Sequence, residues 1–91
     1  MRTRTARNRL AIATVAKNRL VALGLAVIEA REQKGMSASE LAEASGIPLR
    51  SLERIEAGEL DPRYDGLIAL ADGLGVRVAA IMPPEASRKN G

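Results

Sequence analysis

The chain has 91 residues, which suits one domain with short tails. It holds no cysteine or histidine, and Tyr64 is its one aromatic residue, so disulfides, thiolate or imidazole chemistry, ordinary zinc sites and stacked-aromatic platforms are excluded. Fourteen cations against eleven acids leave a net charge of +3, with no motif-level pairing of carboxylates, so no enzyme, cofactor or metal is expected.

The charge is unevenly placed. Residues 1–28 carry Arg2, Arg4, Arg7, Arg9, Lys17 and Arg19 and no acid, whereas residues 29–85 hold all eleven acids and six cations. Residues 1–19 read as a basic N-terminal arm, mobile over 1–9 and helical for a turn or two from Leu10 to Arg19. Such an arm implies an anionic partner. The apolar run from Leu20 to Ile28 is nine residues, against the ~20 that a membrane span requires, so a cytoplasmic protein is expected.

From Leu20 a regular helix is predicted, with Leu20, Leu23, Val27 and Ala30 on one stripe and a stop at Lys34-Gly35. Ser37-Ala38-Ser39-Glu40 matches a capping box that opens a second helix, with Leu41 and Ala44 inward and Gly46 after it. Pro48 suits the first turn of a third helix, whose core face is Leu52 and Ile55 and which ends at Gly58. Tyr64 to Leu74 reads as a fourth, with Tyr64 packed in the core, and Val78 to Met82 as a short fifth, stopped by Pro83-Pro84. The expected fold is all-α, a compact bundle of about five short helices over residues 20–83, with 84–91 a flexible tail.

Two short helices joined by a sharp turn between Ala38 and Ala57 need a small residue where they cross and a residue tolerant of positive φ between them. Ala42 and Gly46 meet those demands. This is the pattern of a helix-turn-helix. Leu20 to Met82 resembles the Cro/phage-repressor (XRE) helix-turn-helix family through several separated elements. They are Leu23-Gly24 with Arg31, Ser37 with Leu41-Ala42, Gly46-Ile47, Leu52 with Ile55-Glu56 and Gly58, Asp61-Pro62, and Leu74-Gly75-Val76.

The resemblance implies a lambda-repressor-like fold and a sequence-specific regulator of transcription, a repressor, bound as a homodimer to double-stranded DNA. It places Leu49, Arg50 and Arg54 where base-contacting side chains are found, on a helix from Pro48 to Ala57 that enters the major groove. Placing Leu52 and Ile55 inward turns Arg50 and Arg54 outward by itself, and arginine pairs bidentately with guanine. Backbone contacts are expected from Ser37, Ser51 and the arm's Arg2, Arg4, Arg7 and Arg9. The resemblance further implies a salt bridge between Arg31 and Glu56.

Some residues depart from the family's pattern. Ala38 stands where glutamine is usual, Pro48 replaces a hydroxyl cap, and Glu59 and Asp61 make the following loop acidic. Leu25 and Ile28 make the first helix apolar around most of its girth, which calls for a cover: the segment Leu10 to Lys17 folded back, or another subunit. Val76, Val78, Ile81 and Met82 could pair across a two-fold axis or serve as core. These features support an alternative, an antitoxin-like module that binds a small protein partner and uses the helix-turn-helix mainly as scaffold.

Overall fold

The computed structural model describes the backbone of residues 2–82 and the side chains of residues 17–82. Among the described residues four α-helices follow in order, α1 (Arg2–Gln33), α2 (Ala38–Ser45), α3 (Leu49–Glu56) and α4 (Arg63–Leu74), and then a 3-10 turn (Val78–Ile81). The segment Pro83 to Gly91, with the expected stop and tail, lies outside the described residues.

The first helix differs most from expectation. The helix runs unbroken from Arg2 to Gln33, so there is no separate turn or two before Leu20. Because no turn separates Leu10–Lys17 from the rest of α1, that segment cannot fold back over it. Among the described residues nothing covers the outer face of α1 at Leu25, which is 60% exposed, and Val21 is 39% exposed.

The core forms where the apolar stripes meet. Leu23 and Val27 from α1, Leu41 and Ala42 from α2, Leu52 and Ile55 from α3, Leu70, Ala71 and Leu74 from α4, and Ile81 form one buried cluster. Burying a leucine side chain contributes about 1.5–3 kcal/mol, so these few residues supply most of what holds so short a chain together. Val76 and Val78 pack against the same cluster and Ile81 is fully buried. The C-terminal apolar segment is thus committed to its own core, leaving Met82 exposed.

Tyr64 is a correction. It lies in register with Leu67, Ala71 and Leu74, yet it is 70% exposed. The stripe of α4 enters the core gradually: the first turn is exposed, Leu67 is half-buried, and full burial begins at Leu70. Helical period fixes the face of a residue, but not how far along the axis the core reaches.

Arg31 ties three elements together. Its Nε donates to Glu56 Oε2 at 2.8 Å, its Nη2 to Glu56 Oε1 at 3.1 Å, and its Nη1 to the Met36 carbonyl at 3.0 Å. The expected bridge is therefore present, and it fastens the end of α1 and the loop before α2 to the end of α3. The hydrogen bond to Glu56 raises the guanidinium above its usual range, ahead of the opposing effect of burial. Glu56→Gln keeps the shape but leaves Arg31, whose side chain is 15% exposed, with an uncompensated charge. That substitution is expected to lower stability by about 2–4 kcal/mol, measured by urea denaturation. A loss below about 0.5 kcal/mol would show the pair to be ornamental.

Candidate nucleic-acid interface

The turn between α2 and α3 is built by local chemistry. Ser37 Oγ accepts from the Glu40 N–H at 3.0 Å while Glu40 Oε1 accepts from the Ser37 N–H at 2.7 Å, so the capping box forms as read. At the other end Gly46 adopts φ 78° and ψ 9° and donates its N–H to the Ala42 carbonyl at 2.9 Å. An added Cβ there would meet nothing, so the need for glycine is conformational and not steric. Ser45, which the sequence reading passed over, locks the turn: its Oγ donates to the Ala42 carbonyl and accepts from the Ile47 N–H, both at 3.3 Å. A serine directly before the turn glycine was the available signal.

Pro48 sits one place earlier than expected. It is the N-cap of α3, with φ −57° and ψ 139°, and makes no side-chain capping bond. The helix proper is Leu49–Glu56, with Ala57 as its C-cap. The proline's fixed φ sets the entry angle that a hydroxyl cap would otherwise help define.

The rotation of α3 follows from its two buried side chains, Leu52 at 0% and Ile55 at 3% exposure. At about 100° per residue the opposite face gathers Leu49, Glu53, Ala57, Arg50 and Arg54 within an arc of about 140°. All five are exposed. Among the described residues the ion pair Arg31–Glu56 is the only one, so Arg50 does not pair with Glu53, and no described acid draws in Arg50 or Arg54. Leu49 adds apolar surface, 38% exposed, at the start of the helix.

The remaining sequence-derived positions fall elsewhere. Ser51 is half-buried in the first turn of α3, off the arginine-bearing arc. Ser37 is exposed, and although its oxygen caps α2, a hydroxyl keeps one proton to donate. The side chains of Arg2, Arg4, Arg7 and Arg9 lie outside the described residues. After α3 the loop presents Glu59 and Asp61, both exposed, and Asp61 Oδ1 accepts from the Arg63 N–H at 2.8 Å. Among the described residues there is no group of acidic side chains that could hold a metal ion, and no helix is long and apolar enough to cross a membrane.

Comparison with known proteins agrees with this geometry. The family model described as helix-turn-helix matches residues 27–81, more than half of the chain. Among solved structures, the chain is similar to the restriction-modification controller protein C.AhdI from Aeromonas hydrophila. The TM-score is 0.68 at 27% sequence identity, over 69% of this chain and 96% of that one. Among curated proteins none matches the chain. With a capped α2, a left-handed glycine turn and a polar outer face on α3 inside the matched residues, the chain belongs to the helix-turn-helix family of Cro/phage-repressor (XRE) type, as a DNA-binding regulator of transcription.

Proposed function

We propose that the chain is a repressor, without catalytic activity, that occupies an operator in the cytoplasm as a homodimer. It enters the major groove with α3, contacts bases through Leu49, Arg50 and Arg54, and contacts phosphates through Ser37 and Ser51. The observation that carries this reading is the outward face of α3, where two guanidinium groups stand exposed beside an apolar side chain, with no ion-pair partner among the described residues. Arginine satisfies the O6 and N7 acceptors of guanine together, and leucine suits a thymine methyl. The likeness to a restriction-modification controller protein supports a controlling role.

One recognition helix reads only a few base pairs, and a two-fold dimer doubles that number with half-site centres ~34–36 Å apart. The exposed side chain of Leu25, with the part of Val21 that does not pack on Gly58, is available for a second subunit. Selection of bound duplexes from a random pool tests the reading: enriched sequences are expected to be two-fold symmetric, with a guanine in each half-site. A pool that shows no enrichment would refute sequence-specific binding, and asymmetric single sites would refute the dimer. The second reading, a module for a small protein partner, draws on the same exposed Leu25 and on the acidic loop after α3. Co-purification of such a partner together with a failed selection would favour it.

A further inference from the structure

The part of α1 ahead of the body has the composition of a second DNA-binding element. The described contacts of α1 with the body begin at Leu20, which is half-buried, and Val21, whose side chain lies where a Cβ on Gly58 would come within 2.9 Å. Lys17, Asn18 and Arg19 are exposed. Continuous helix from Arg2 to Arg19 extends about 27 Å at 1.5 Å per residue. C.AhdI, 96% of which is matched, aligns with only 69% of this chain, so much of this chain has no counterpart in that protein.

Three features choose the partner. The extension carries Arg2, Arg4, Arg7, Arg9, Lys17 and Arg19 with no acid among them. At 100° per residue these six positions fall at about 0°, 200°, 140°, 340°, 60° and 260°, so cations surround the axis with no gap wider than about 80°. A helix lying on a membrane segregates its charges to one face, and these do not segregate. A helix set in a DNA groove has phosphates on both walls, and the major groove is wide enough to admit one. Finally, the extension leaves the body beside Gly58, two residues after the end of α3, so it is fixed to the end of the recognition helix and not tethered loosely. A duplex carries one charge per about 1.7 Å, a far denser anionic target than the acidic body of a second copy.

We infer that the helical extension Arg2–Arg19 is a rigid basic rod that lies along the duplex beside the half-site read by α3, covering about eight further base pairs through phosphate contacts alone. This rests on the regulator reading and adds to it a footprint longer than the sequence-specific site.

Two full-length variants test it. One replaces Arg2, Arg4, Arg7 and Arg9 by glutamine, which keeps helix propensity and removes charge. The other, Asn18→Pro, breaks the helix ahead of the body without changing any charge. For the fourfold glutamine variant the slope of log affinity against log salt is expected to fall by about 3–4 for each subunit bound. Raising salt from 50 to 200 mM would then cost it ~100-fold less affinity per bound subunit than the unaltered chain. Its nuclease footprint is expected to shorten on one flank of each half-site, with the order of preferred sequences kept. Asn18→Pro is expected to shorten the footprint likewise.

An unchanged salt slope in the glutamine variant overturns the inference, and so does a full-length footprint with Asn18→Pro. Co-sedimentation of the unaltered chain with phosphatidylserine-containing vesicles, together with an unchanged slope on DNA, would assign the extension to a membrane and overturn it as well. Those failures leave selective binding by α3 intact. Loss of selective binding in the unaltered chain would sink the regulator reading and this inference together.

Discussion

Replacing both Arg50 and Arg54 by alanine is expected to weaken binding to the selected operator on the order of 10²–10⁴-fold, since each bidentate contact with guanine contributes about 1–3 kcal/mol of discrimination. Binding to unrelated duplex should fall far less, because each arginine neutralises at most about one phosphate there. Both side chains are exposed and have no ion-pair partner among the described residues, so thermal stability should hold within about 0.5 kcal/mol. That contrast separates loss of reading from loss of fold. Each single variant should relax choice at one position of the half-site, and Leu49→Ala should relax it where a thymine methyl stands. Fluorescence anisotropy on operator and scrambled duplexes measures both quantities. Undiminished preference for the operator in the double variant would remove α3 from the reading of bases.

The rotation of α3 was legible in the sequence because two residues fix it. With Leu52 and Ile55 committed to the core, the outward placing of Arg50 and Arg54 follows from helical geometry alone. The capping box was legible for a similar reason: Ser37 and Glu40 need only each other's backbone. What escaped depends on where elements end in space. Tyr64 shares the stripe of α4 but lies beyond the reach of the core, and nothing in its spacing says so. The length of α1 escaped because the residues before Leu10 have no apolar period, the signal by which a packed helix is recognised. A helix that projects past its domain has no core face to reveal it. The arginine bridge was readable only through family resemblance, since Arg31 and Glu56 lie 25 residues apart.

Gly24→Ala is expected to lower stability by about 2–4 kcal/mol, although alanine is the better helix former by about 1 kcal/mol. A Cβ at this position would stand 2.5 Å from the Glu56 carbonyl oxygen, 2.7 Å from that of Ile55 and 2.9 Å from the Glu56 carbonyl carbon. All three are backbone atoms near the end of α3, so no side chain can rotate aside. The two helices must separate instead, which loosens Leu52 and Ile55 against Leu23 and Val27 and strains the 2.8 Å contact between Arg31 and Glu56. For a chain of this size each 1 kcal/mol shifts the melting midpoint by about 4–8 °C, so a fall of ten degrees or more is expected. Gly46→Ala supplies the comparison, because there the strain is a positive φ in open space and should amount to only about 1–2 kcal/mol. The wedge at Gly24 also moves α3 relative to the rest of the body, so operator selectivity should decline at temperatures where the variant is still folded. If calorimetry found Gly24→Ala as stable as the unaltered chain, α1 and α3 could not approach as closely as the fold requires, and the platform that aims Arg50 and Arg54 outward would have to be rebuilt.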